Sequence, residues 1–173
     1  MFRRRAATAA LVLVTISGCR IALEDTVEYS SRTCAVSTAT SCTDAVTHSD
    51  LKWIEDNIFN KCTFSGCHNG AATDAGRLDL SPGKSHAALV NVDSEIAAGP
   101  MLTGKAKLVV PMEPSRSYLL VMMRQLAPEQ HDPPLSAPPA SIGYMPQNAG
   151  GAVTCCQKLD ALGRWIEEGA QNN

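Results

Sequence analysis

The stretch DLKWIEDNIFNKCTFSGCHNG, residues 50–70, decides the fold, because an apolar helical pattern in it runs straight into two cysteines and a histidine. Apolar side chains recur at helical spacing over 51–58. Before them, Thr47 and Asp50 resemble a capping box. The pattern therefore predicts an amphipathic helix that begins near Thr47 and leads directly to Cys62.

The segment Cys62-Thr63-Phe64-Ser65-Gly66-Cys67-His68 carries the chemistry of this stretch. Two thiols followed directly by a histidine are the groups that a c-type haem requires, since the thiols bond to the porphyrin edge and the imidazole ligates the iron. The usual spacing is Cys-x-x-Cys-His, whereas four residues separate the cysteines here. Two residues must therefore bulge outward, and Ser65 and Gly66 are suited to that.

The rest of the chain predicts a small all-α domain of three to four helices with long irregular connections. Further helical patterns begin at Ser85, at Ser115 or Ser117, and at Thr154, where Thr154 and Gln157 form a second capping box. Six prolines between 128 and 146 exclude a helix or a central strand there, so we expect an ordered loop.

The first residues argue for export. Three arginines at 3–5 precede an apolar run over 6–16, which is the pattern of a secretory signal and too short for a stable membrane span. The stretch Ile16-Ser17-Gly18-Cys19 resembles a bacterial lipobox, which implies a signal peptide of 1–18, acylation of Cys19 and a membrane anchor on the periplasmic or cell-surface side. Ordinary secretion is the alternative.

A Ser/Thr-rich tether over 19–46 and one domain over 47–173 are expected after the signal peptide. Loss of the three arginines takes the net charge from −2 to −5, with 12 basic and 17 acidic residues left. A mildly acidic domain of this kind has no electrostatic footprint for nucleic acid. Nothing in the sequence indicates a small-molecule substrate.

Six cysteines remain if Cys19 carries lipid, and an even number in an oxidising compartment first suggests disulfides. Cys34 and Cys42 could close a small loop. Alternatively, if haem takes the motif cysteines, Cys34 and Cys42 could pair with the adjacent Cys155 and Cys156 and join the tether to the last helix. A third possibility bridges the two motif cysteines and leaves a haemless module.

The stretch 58–70 resembles the first helix and haem motif of class I cytochrome c domains, and it looks closest to the planctomycete-type cytochrome c-like domains. The resemblance covers roughly 50–173. Short matches recur in order at Leu78-Asp79-Leu80-Ser81, Leu89-Val90-Asn91-Val92, Val109-Val110-Pro111, Ser117-Tyr118-Leu119, Met145-Pro146 and Trp165-Ile166-Glu167-Glu168-Gly169-Ala170.

The resemblance implies one covalent haem c on Cys62 and Cys67, with His68 as proximal ligand. It also implies a distal methionine, and Met145 occupies the matching place. Such a protein would be an electron carrier and not an enzyme, with an unidentified redox partner. The rival interpretation is a haemless, disulfide-stapled domain that acts as a binding or scaffold module.

Other side chains are weaker candidates for the distal position. Met122 and Met123 lie at core spacing on a predicted helix, so packing is the simpler role. Met112 is a fallback distal ligand, and His86 would give bis-histidine ligation.

Overall fold

A computed structural model describes residues 34–64, 66–147 and 154–173. The predicted signal peptide, Cys19 and most of the tether lie outside the described residues. Within these ranges the chain is helical and has no strand; its β pairing is limited to isolated bridges between Val90 and Val109 and between Asp93 and Lys107. The all-α prediction is therefore confirmed at the level of fold class.

Five α-helices follow one another in the described chain. They are α1 (Thr40–Thr43), α2 (Leu51–Asn57), α3 (Ser85–Leu89), α4 (Tyr118–Met122) and α5 (Cys156–Glu167). Short 3-10 turns occur at Asp44–Thr47, Phe59–Lys61, Pro114–Arg116 and Pro128–Gln130. The proline-rich segment is otherwise irregular, as its composition predicts.

Helix α2 begins at a cap that differs from the predicted one. The Asp50 carboxylate accepts a hydrogen bond from the backbone N–H of Trp53 at 2.8 Å, whereas Thr47 lies in the preceding 3-10 turn. Burial alone would raise the pKa of Asp50, but hydrogen bonds from His48 and Trp53 outweigh it and lower the pKa. The helix ends at Asn57, and the next 3-10 turn carries the chain to Cys62.

Helix α5 is the centre of the core. Leu159, Leu162, Trp165 and Ile166 are at most 1 % exposed on its inner face. The predicted capping box at its start is wrong, because Cys155 is at the cap position and the Gln157 amide instead bonds the backbone of a distant residue, Ser37. At its other end Gly169 has φ +99°, the left-handed conformation expected of a helix terminator.

Helices α3 and α4 end at Leu89 and Met122, and tertiary contacts use the serines at which their predicted patterns begin. Ser85 lies inside α3, and its hydroxyl donates to the buried carboxylate of Glu55 at 2.6 Å. Ser117 occupies the cap position of α4, but its hydroxyl bonds the backbone of Val110. The left-handed φ of Arg124 follows soon after the end of α4.

Residues 40–47 form helical turns that pack on α5, although all of them except Thr47 belong to the predicted tether. Two disulfides make this attachment covalent, Cys34–Cys156 and Cys42–Cys155. The Arg164 side chain adds hydrogen bonds to the carbonyls of Ala45 at 2.6 Å and His48 at 2.8 Å.

Disulfides are therefore present, as the cysteine count suggests, and they follow one of the pairings that the sequence leaves open, in which the N-terminal segment is joined to the last helix. Two disulfides are typical of proteins from an oxidising compartment, which agrees with export. In the part of the chain that the structure describes, no helix has the length and apolar character needed to cross a membrane.

Candidate cofactor-attachment site

The two cysteines of the predicted haem motif are the free thiols among the described cysteines. Cys62 is half-buried and Cys67 is exposed. The bridge between them that a haemless module would use is not formed in the described structure. The disulfides therefore separate the described cysteines into four that are bridged and two, Cys62 and Cys67, that are free.

Backbone hydrogen bonds fold the motif into a compact loop. The N–H of His68 donates to the carbonyl of Cys62 at 2.9 Å, and the N–H of Cys67 donates to the carbonyl of Phe64 at 2.9 Å. Gly66 has φ +81°, which a residue with a Cβ adopts only with strain. The described residues of the motif thus form a turn that returns His68 to the side of Cys62.

The environment of Cys62 keeps its thiol protonated. Burial, followed by the charge of nearby Cys67, raises the pKa of Cys62 to about 11. The thiol also makes a weak hydrogen bond to the carbonyl of Ile58 at 3.7 Å. Because the thiolate is the reactive form, Cys62 is a slow nucleophile at neutral pH.

His68 is held at its backbone but has a ring nitrogen without a partner. Its carbonyl accepts from the N–H of Leu80 at 2.9 Å, which ties the motif to the following loop. Its Nδ1 is buried and has no hydrogen-bond partner among the described residues. Buried ring nitrogens normally have a partner, so the described chain leaves one hydrogen-bonding atom of this imidazole unsatisfied.

Cys62 lines a cleft of about 240 Å³ between the end of α2 and the start of α5. Its apolar wall comes from Ile58, Met123 and Pro146. The disulfide Cys42–Cys155 forms another part of the lining. The polar lining consists of Asn57, Lys61, Thr154 and Lys158.

The predicted distal ligand lies beside this cleft. Met145 is half-buried against the core, and its N–H donates to the carbonyl of Met122 at 2.9 Å. The next residue, Pro146, lines the cleft together with Cys62. The structure therefore brings the first motif cysteine and the Met145 loop to one cleft, whereas neither His68 nor the Met145 side chain lines it.

The alternative ligands have distinct environments. Met122 and Met123 are 7 % and 6 % exposed, as core packing predicts, and Met123 also reaches the cleft. Met112 is 73 % exposed on the surface. His86 lies with its Nε2 3.0 Å from the carbonyl of Ala170, so this nitrogen already has a partner.

Two lysines at the cleft were not recognised from the sequence. The Lys158 ammonium donates to the carbonyl of Asn57 at 2.9 Å and so joins α5 to the end of α2. Burial, and then the charge of Lys61, lowers the pKa of Lys158. Lys158 comes three positions after Cys155, one helical turn along α5, and this spacing could have revealed it.

No protein family, curated protein or solved structure matches this chain. Among the residues that the structure describes, no group of three or more histidine, cysteine, aspartate or glutamate side chains is arranged to hold a metal ion. The features of the described chain that could carry a function are its free thiols, the imidazole of His68 and the cleft.

Proposed function

We propose that this protein is a monohaem c-type cytochrome that transfers single electrons outside the cytoplasm. One observation carries the proposal: the disulfides use the four cysteines outside the motif and leave free the two that precede His68. In an oxidising compartment, a free thiol pair directly before a histidine suits covalent attachment of a haem.

The side chains at the site are of the chemical types that hold a c-type haem. Cys62 and Cys67 would hold the porphyrin through thioether bonds, and the unsatisfied imidazole of His68 would be the proximal ligand. Met145 is the proposed distal ligand, since its loop borders the same cleft as Cys62. A haem held in this way supplies one-electron redox chemistry at its iron.

The size of the cleft sets a condition on this proposal. Its volume of about 240 Å³ is below the roughly 300–1,000 Å³ of most ligand pockets. The motif loop and the Met145 loop would therefore have to separate to admit a porphyrin. The small cleft is also the observation that favours the alternative, a haemless, disulfide-stapled binding or scaffold module.

The surrounding chain would supply a rigid and partly apolar frame. Ile58 and Met123 line part of the cleft with apolar atoms, which lowers the local dielectric there. The Cys42–Cys155 disulfide fixes the start of α5 at the same place. We further propose that a lipid on Cys19 and the tether hold this domain at a membrane surface, near an unidentified redox partner.

The direct test is to produce the secreted protein in a host with a c-type haem maturation system and to record its absorption spectrum and intact mass. We expect a mass that includes one covalent haem and a spectrum that changes on reduction. A colourless protein whose mass differs from the sequence only by lost disulfide hydrogens and processing would refute the proposal and support the haemless module.

Substitutions then test each role. Cys62→Ala with Cys67→Ala should abolish covalent haem. His68→Ala should abolish the low-spin spectrum, whereas His86→Ala, which removes a half-buried histidine with its own partner, should keep it. An unchanged spectrum in His68→Ala would exclude His68 as proximal ligand.

The distal ligand has a matched methionine control. Met145→Ala should lower the reduction potential or open the iron to added ligands, because a neutral thioether favours the reduced iron. Met112→Ala should change neither property, since its side chain is exposed. If Met145→Ala leaves both properties unchanged, another residue is the distal ligand, and Met123→Ala is the next variant because Met123 lines the cleft.

A further inference from the structure

Three cysteines from separate parts of the chain line the cleft. One is Cys62, which is free, and the other two are the partners of the Cys42–Cys155 disulfide. The second disulfide, Cys34–Cys156, does not line the cleft, although Cys156 follows Cys155 directly in the sequence. We infer that Cys62 and the Cys42–Cys155 disulfide form an intramolecular thiol–disulfide exchange site.

The exchange conserves atoms and electrons without any added oxidant or reductant. Only a small fraction of Cys62 is deprotonated at neutral pH because burial raises its pKa, so the exchange is slow. The deprotonated sulfur attacks one sulfur of the disulfide and forms a mixed disulfide. A bond from Cys62 to Cys155 forms as the bond between Cys42 and Cys155 breaks, and Cys42 leaves as a thiolate that takes up the proton. Attack at Cys42 is the equivalent step and releases Cys155.

Cys67 can continue the exchange. It is exposed, and the motif turn keeps it near Cys62, whose pKa responds to its charge. Attack by Cys67 on the Cys62 sulfur of the mixed disulfide would form a Cys62–Cys67 bridge and release the second cysteine. The net result reduces the Cys42–Cys155 disulfide and oxidises the motif pair by the same two electrons.

Exchange at this site would allow one disulfide to form at either of two places, between Cys42 and Cys155 or between Cys62 and Cys67. With Cys42–Cys155 closed, both motif thiols are free for attachment chemistry; with Cys62–Cys67 closed, neither is. The inference does not rest on the proposed function, because the exchange needs no haem. Conversion of Cys62 to a thioether would remove the attacking thiol, so the Cys42–Cys155 disulfide would stay intact.

The test uses the protein made without haem maturation and removes one partner of a disulfide at a time. Cys42→Ser leaves Cys155 unpaired at the cleft, and Cys155→Ser leaves Cys42 unpaired there. Cys34→Ser is the matched control, because it leaves Cys156 unpaired beside Cys155 in sequence but away from the cleft. Each variant is kept for a day in reduced and oxidised glutathione, blocked with N-ethylmaleimide and mapped as non-reduced peptides.

We expect Cys62 to bond to the released cysteine in both cleft variants, at least about tenfold more than to Cys156 in the control, since shared confinement raises effective concentration. Cys62 that stays unpaired in both variants would overturn the inference, and so would equal pairing with Cys156. The native chain, incubated and mapped in the same way, should contain a minor isomer with Cys62 bonded to Cys42 or Cys155. This measurement decides the question if the variants do not fold, and absence of that isomer would then overturn the inference.

Discussion

Removing both disulfides should cost about 2 kcal/mol more than twice the cost of removing one, because they close nearly the same loop. Cys34–Cys156 joins residues 122 positions apart, and Cys42–Cys155 joins residues 113 apart. A first cross-link over such a loop stabilises by about 4.7 kcal/mol by restricting the unfolded chain. The second then closes a ring of only about ten residues, since Cys34 and Cys42 are close in sequence and Cys155 and Cys156 are adjacent, and adds about 3 kcal/mol.

Replacing both cysteines of either disulfide by serine should therefore lower the free energy of unfolding by about 3 kcal/mol, because the other disulfide still closes the long loop. Replacing all four should lower it by roughly 7 to 8 kcal/mol, about 2 kcal/mol more than the sum of the two single losses. Removing cysteines in pairs also avoids a released thiol that could bond to Cys62.

Urea unfolding followed by tryptophan fluorescence measures these losses, since Trp53 and Trp165 are both buried. Strictly additive losses would refute the shared-loop reasoning. The shared-loop reasoning would also be refuted if removal of one disulfide lowered the free energy of unfolding by about 4 to 5 kcal/mol and removal of the other lowered it hardly at all. The larger value is roughly the contribution of a single long loop. A four-serine variant that is unfolded in buffer agrees with the larger loss, provided that both single-disulfide variants remain folded.

Three further substitutions test the contacts that position the site. Asp50→Ala should destabilise the protein by about 1 kcal/mol, because it removes the cap of α2. Since folding lowers the pKa of Asp50, this loss should be full at neutral pH and should shrink below about pH 4. A loss that stays constant across that pH range in urea titrations would contradict the assignment of Asp50 as the cap. Glu55→Leu should lower the free energy of unfolding by about 2 to 3 kcal/mol, since it leaves the buried Ser85 hydroxyl without its acceptor. Adding Ser85→Ala to this variant should recover part of that loss in the same assay. Arg164→Met should cost about 1.5 to 3 kcal/mol and speed proteolysis near residues 40–47, and an unchanged cleavage rate would show that the disulfides alone hold that segment.

The sequence by itself determined the helical class and the inner faces of the main helices. The apolar spacing over 51–58 and over α5 is a local property of the chain, and it predicts which residues are buried without reference to any other segment. Proline density likewise determined the irregular connection before α5, because a proline ring restricts the backbone wherever it occurs. The sequence also included, among several possible disulfide pairings, the one that leaves the two cysteines before His68 free.

Only the tertiary structure decided how the polar side chains are used. Gln157, Ser85 and Ser117 have the sequence context of capping residues, yet they bond to Ser37, Glu55 and Val110 respectively. A capping motif states which hydrogen bonds a side chain can make locally, whereas a folded chain also offers partners from distant segments.

The cleft and the division of the cysteines depend on the same kind of long-range contact. Disulfides between residues more than 100 positions apart attach residues 40–47 to α5 and leave Cys62 and Cys67 free. They also place Cys42 and Cys155 in the lining of the same cleft as Cys62. No local period or propensity specifies such an encounter, because it depends on how the helices pack in three dimensions.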